Sequence, residues 1–154
     1  MSWTTWKGDY VSMPTTNELA YIAGLFDGEG CIQYKQIMDT KRKSRPRRYK
    51  VWRITMEMSM TDKDIIDWVH KTLDVGTVLI NVKNKSPSSK PHWKTQWRWR
   101  CSHRQAYKVC KMLWPYIQVK LPQVEKIIDH YEPEYLMNDK VVSLHQYRLN
   151  MDME

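Results

Sequence analysis

Residues 19–30 read Leu19-Ala20-Tyr21-Ile22-Ala23-Gly24-Leu25-Phe26-Asp27-Gly28-Glu29-Gly30, a run whose small residues and two acids decide how this chain folds. It follows Pro14 and Thr15-Thr16-Asn17-Glu18, in which Thr15 and Glu18 have the spacing of a reciprocal helix cap. The spacing predicts a helix from about Asn17 to Asp27, ended at Gly28-Glu29-Gly30, where glycines permit a sharp backbone turn. Ala20, Gly24 and Gly28 recur every four residues with Ala23 beside them, a smooth stripe along which another backbone can approach closely. Ordinary tight packing within one chain would use the same stripe. Asp27 and Glu29 place two carboxylates at the helix C-terminus, where the helix dipole disfavours them. On chemistry alone two readings are open. Either Asp27 caps neighbouring backbone and Glu29 is solvated, or two copies of the helix meet across a two-fold axis. In the second case paired Glu29 carboxylates and exposed backbone carbonyls make an all-oxygen site of the kind Mg²⁺ prefers.

Outward from this helix, the periodicity predicts two hairpins separated by a second helix. Cys31 to about Met38 reads as a short strand. From Val51 to Met60, apolar Trp52, Ile54, Met56, Met58 and Met60 alternate with Arg53, Thr55, Glu57 and Ser59, as in a strand with one buried and one wet face. Asp62 or Thr61 can cap a helix through Leu73 that buries Ile65, Ile66, Trp68, Val69 and Leu73. Gly76 starts a third strand with Val78, Ile80 and Val82 on one side, and Lys83 to Lys94 is a Lys/Ser/Pro-rich hairpin loop. Thr95 to Cys101 alternates again, with Trp97, Trp99 and Cys101 against Gln96, Arg98 and Arg100. Ser102 can cap a helix to about Leu113, which Pro115 ends, and a further helix covers about Pro122 to His130. This order predicts an α+β fold: one four-stranded antiparallel sheet with helices on one face. A chain of 154 residues suits a single domain, with residues 1–13 a loose leader, 14–131 the core and 132–154 a C-terminal helical segment.

Composition narrows the partner. A formal net charge of +8 and a pI near 9.4 favour a polyanion, although a basic enzyme or a lysine-rich surface has the same balance. The basicity is local: Lys41-Arg42-Lys43-Ser44-Arg45-Pro46-Arg47-Arg48-Tyr49-Lys50 holds seven basic residues in ten. Such a run suits a loop held against phosphates, a targeting-like patch or plain solvation. The wet face of the expected sheet carries Gln33, Lys35, Arg53, Thr55, Glu57, Asn81, Lys83, Gln96, Arg98 and Arg100, a set suited to base edges and phosphates and also to water. Cys31, Cys101 and Cys110 form no C-x-x-C pair and no complete disulfide framework, so a reducing, intracellular setting is expected. With no signal peptide and no apolar run near ~20 residues, a soluble protein without membrane contact is expected. Most of the eight tryptophans and nine tyrosines are expected in the core or at an interface.

The run Ala23-Gly24-Leu25-Phe26-Asp27-Gly28-Glu29-Gly30 closely resembles the motif that names the LAGLIDADG homing endonucleases, and the order of elements over residues 17–131 is similar to theirs. The resemblance implies a homodimer, since single-motif members pair, with the motif helix at the interface and Ala20, Ala23, Gly24 and Asp27 in contact across it. It implies that Glu29 binds the catalytic metal with the Gly28 carbonyl beside it, while Asp27 is mainly structural. Pro115-Tyr116-Ile117-Gln118-Val119-Lys120 resembles the segment whose lysine sits near the attacking water, which makes Lys120 the base or electrostatic stabiliser; a plain surface lysine is the alternative. The implied cofactor is Mg²⁺, with Mn²⁺ as a substitute and Ca²⁺ bound without cleavage. The implied substrate is double-stranded DNA, not a small molecule, with a staggered cut leaving 3′ overhangs. A ten-residue strand spans about 33 Å, close to one turn of DNA at about 34–36 Å, so a long, roughly palindromic target is expected. The basic loop residues Arg42, Lys43, Arg45, Arg47 and Arg48 are assigned to the same duplex. One departure stands out: where many members have Gln or another polar residue at the end of the second strand, this chain has Met58 or Met60. A non-cleaving DNA-binding protein and an intron RNA maturase of the same fold are the rival readings.

Overall fold

Thr15 begins the first helix as its spacing requires: the Glu18 amide donates to Thr15 Oγ1 at 3.2 Å and the Thr15 amide donates to Glu18 Oε1 at 3.0 Å. The computed structural model describes residues 13–38, 50–81 and 94–133. Within them lie α1 (Thr16–Glu29), β1 (Gly30–Met38), β2 (Lys50–Met60), α2 (Lys63–Leu73), β3 (Thr77–Asn81), β4 (Gln96–Ser102), α3 (Arg104–Leu113) and α4 (Leu121–Tyr131). Residues 1–12, 39–49, 82–93 and 134–154 lie outside the described residues, and with them most of the expected leader (1–13), basic stretch (41–50), Lys/Ser/Pro-rich loop (83–94) and C-terminal segment (132–154).

The strands form one antiparallel sheet in the order β1-β2-β4-β3. Each hairpin pairs internally, and β2 joins them by pairing with β4, which places β2 and β4 at the centre. Ile54, Met56 and Met58 of β2 and Trp99 and Cys101 of β4 turn toward the helices and join a core with Ile22 and Phe26 of α1, Ile66 and Val69 of α2, Val109 and Leu113 of α3 and Val124 and Ile128 of α4. Trp99 brings a polar edge into this core and satisfies it, donating from Nε1 to the Val75 carbonyl at 2.8 Å. Among the described residues no helix is long and apolar enough to cross a membrane.

Two local expectations are corrected. Ser102 does not cap α3; it is the last residue of β4, paired with Thr55, because the His103 amide still donates across the sheet to the Ile54 carbonyl at 2.9 Å. His103 takes the N-cap position at φ 52°, without a side-chain hydrogen bond. Nor does the helix end at Asp27 in a sharp turn over Gly28-Glu29-Gly30. The helix runs through Gly28 to Glu29, and Gly30 is already extended at φ −82°, ψ 160°. Gly30 is small for another reason: a Cβ there would lie 2.5 Å from the Phe26 ring, which fills the corner between α1 and β1.

Candidate active site and nucleic-acid interface

The C-terminal end of α1 has no basic residue in its last turn. The missing cation comes from the far end of the fold. Lys120, at the start of α4, donates from Nζ to the Asp27 carbonyl at 2.7 Å, one of the last helical carbonyls that lack an amide partner of their own. Its backbone amide donates to Asp27 Oδ1 at 3.0 Å, and the Gln118 amide donates to Asp27 Oδ2 at 2.9 Å. Asp27 is thereby occupied within its own chain, as an acceptor that ties α1 to the turn between α3 and α4. Glu29, two residues on, is exposed and makes no hydrogen bond or ion pair among the described residues. By resemblance Glu29 groups with Lys120 as catalytic and Asp27 goes to the helix-pair interface; in the structure Lys120 contacts Asp27 directly, within one chain.

The stripe on α1 is partly as expected. Ala20, Gly24 and Gly28 are exposed, and a Cβ added at Gly24 or Gly28 would meet nothing within 4 Å among the described residues. Nothing among the described residues therefore accounts for glycine at position 24, in mid-helix, where it costs about 0.5–1 kcal/mol relative to alanine. Ala23 corrects the expectation. It is 0% exposed and packs in the chain's own core with Ile22 and Phe26, so it has no surface to offer a partner.

The open face of the sheet is where the alternation put it. The register sets Gln33 against Thr55, Lys35 against Arg53, Glu57 against Arg100, and Asn81 against Gln96. Lys35 and Arg53 are both exposed, lie directly opposite one another, and have no ion-pair partner among the described residues. Like charges so placed destabilise a sheet, and an anion laid across the face relieves them. Glu57 lies between two cations, 3.9 Å from Arg98 Nη1 and 4.0 Å from Arg100 Nε. Thr55 corrects the reading of this face: at 4% exposure it is closed off at the middle of the sheet, between Gln33 on β1 and Ser102 on β4. Ser59, which alternation puts on the same face but which was not assigned to DNA, accepts from Arg98 Nε at 3.3 Å. Of the residues assigned to DNA, Arg42, Lys43, Arg45, Arg47, Arg48 and Lys83 lie outside the described residues.

Met58 is 1% exposed and faces the helices opposite Gly30, so the open-face side chain at that end of β2 is Ser59. Among the described residues no group of three or more His, Cys, Asp or Glu is arranged to hold a metal by itself.

No protein-family model matches the sequence. The similarity to solved structures is in the fold. The homing endonuclease I-CvuI, in complex with its target, superposes with a TM-score of 0.53 at 19% identity over 79% of this chain and 74% of that one. The archaeal intron-encoded homing endonuclease I-Vdi141I, complexed with DNA, gives 0.55 at 12% identity over 78% and 72%. The LAGLIDADG meganuclease I-CpaMI, bound to uncleaved DNA, gives 0.53 at 13% identity over 79% of this chain and 39% of that one. The fold is that of the LAGLIDADG homing endonucleases. At 12–19% identity the likeness is one of fold.

Proposed function

We propose that this chain is a site-specific DNA endonuclease that works as a homodimer with a divalent metal and cuts both strands of a long, roughly palindromic duplex. The observation that carries the reading is the contrast at the end of α1: Asp27 is fully used as a structural acceptor, while Glu29 stands exposed and unpaired among the described residues beside an ammonium held at Asp27. The neighbouring folds support the substrate, since I-CvuI and I-Vdi141I were each solved with DNA. The open face, with Gln33, Lys35, Arg53, Gln96, Arg98 and Arg100, is the surface that would lie in the major groove.

The donor set fits a hard cation. One chain offers the Glu29 carboxylate and the Gly28 carbonyl, and Mg²⁺ commonly takes one or two carboxylates together with water and phosphate oxygens. A second copy packed along Ala20, Gly24 and Gly28 would supply the other carboxylate, its own Glu29. I-CvuI was solved with DNA in the presence of Ca and of Mg, which supports divalent-metal use in this fold. When bound, the metal supplies charge neutralisation at the phosphate and a lowered pKa for water. Glu29 would hold the cation. Asp27 holds the turn that carries Lys120, and Lys120, with one of its three donors on the Asp27 carbonyl, has the others to place against the charge that develops on the scissile phosphate.

A second reading, a DNA-binding protein of the same fold that does not cut, is favoured by one observation: Met58 is buried where a polar residue would help to order water. Incubation of the protein with a library of long duplexes, with and without Mg²⁺, tests both. Metal-dependent cutting at one long site supports the nuclease, and tight, specific binding without cutting supports the second reading.

A further inference from the structure

The arginines of β4 are not free cations. Arg98 donates from Nε to Ser59 Oγ at 3.3 Å and lies 3.9 Å from Glu57 Oε2, and Arg100 Nε lies 4.0 Å from the same oxygen. All four residues sit on the open face of the two central strands, with Glu57 directly opposite Arg100 and Ser59 directly opposite Arg98. One carboxylate thus serves two guanidinium groups, and no carboxylate among the described residues is within ion-pair distance of Lys35 or Arg53 on the same face. A surface built only to attract phosphate gains nothing from an acid at its centre, because each carboxylate offsets one cation and repels the backbone. A surface built to read bases gains from it. A guanidinium already held by neighbours loses less freedom when it binds, and its planar fork matches the O6 and N7 acceptors of guanine.

Resting on the proposed DNA-binding role, we infer that Glu57 is a specificity-determining residue that positions Arg98 and Arg100 to read two guanines in each half of the target. Positions two apart on one strand are about 6.6 Å apart, close to two base-pair rises of about 3.4 Å each. The two guanines therefore lie about two steps apart. Glu57 touches no base in this arrangement; it acts through the arginines, with Ser59 holding the second contact on Arg98.

Selection of bound duplexes from a randomised library, with no metal added, tests this with the wild type, Arg98→Ala, Arg100→Ala, Glu57→Ala and Glu57→Gln, each checked for an unchanged far-ultraviolet spectrum. The wild type is expected to select two guanines per half-site. Each arginine variant loses the preference at one of them by about tenfold or more. Glu57→Ala weakens both preferences together while its binding to random duplex rises, and Glu57→Gln, which keeps the shape without the charge, falls between. If Glu57→Ala instead loses a cytosine preference at one position, Glu57 reads a base directly and the inference is overturned. A selected site without arginine-dependent guanines overturns it too. A wild type that selects no duplex overturns the DNA-binding reading itself, and this inference with it.

Discussion

Asp27 and Glu29 carry the same group two positions apart and stand in opposite settings, one bonded within the chain and the other exposed. Both Asp27 oxygens accept backbone amides, from Gln118 and Lys120, and part of that site is shielded from water. Removing the carboxylate leaves two amides to find other partners, so Asp27→Ala is expected to lower the unfolding free energy by about 2 kcal/mol. Urea titration at fixed protein concentration checks it, and an unchanged midpoint would show that the clamp contributes nothing. The thiols divide in the same way. Burial pushes the Cys101 thiol up to about 12 and Cys110 higher still, so neither forms the reactive thiolate near neutral pH. Cys31 is exposed on the open face, opposite Glu57. At pH 8 an alkylating reagent is expected to modify Cys31 alone until denaturant is added, and saturating duplex DNA should slow that reaction. Mass spectrometry of the labelled protein reads both, and rapid labelling of Cys101 or Cys110 in the native state would contradict the packing.

At the scale of elements, α1 is built for two surfaces. Ile22, Ala23 and Phe26 bury one side, and Ala20, Gly24 and Gly28 leave the other bare. If a second α1 packs there, Gly24→Leu should leave the monomer fold intact, since a Cβ added there would meet nothing within 4 Å among the described residues, and should turn the dimer into a monomer. Sedimentation velocity decides, and an unchanged dimer would move the interface elsewhere. The elements themselves were largely legible in the sequence. The Thr15–Glu18 cap, the alternation from Trp52 to Met60 and the Asp62 cap of α2 are local rules, and local rules show without a structure. What could not be read depends on contacts distant in sequence. Ala23 and Ala20 look alike as small residues, and only the position of the core shows that one is sealed and the other bare. Thr55 reads as a wet-face residue until the strands on both sides close over it, and Ser102 reads as a cap until the β2 pairing holds it in the sheet. The glycine at position 30 has its reason in a ring four residues earlier, not in its own backbone angles.

For the whole molecule, the order β1-β2-β4-β3 places the open-face side chains on one continuous surface, and the α1 terminus with Lys120 stands where β1 begins. Neither the strand order nor the Asp27–Lys120 contact was legible beforehand, since both join segments brought together only by folding. The surface charge has a measurable consequence. Affinity for a duplex should fall steeply with salt, and Lys35→Gln should reduce the slope of log K against log salt by about 0.9 for each phosphate that Lys35 neutralises. An unchanged slope would remove Lys35 from the interface. The central claim is that Glu29 serves chemistry and Asp27 serves structure. Its most direct test is to compare wild type and Glu29→Gln for binding and Mg²⁺-dependent cleavage on the selected duplex. Cleavage is expected to disappear in the variant while affinity and thermal stability stay within about twofold and about 1 kcal/mol of wild type. Cleavage that survives the substitution, or binding and stability lost together with it, would contradict the account.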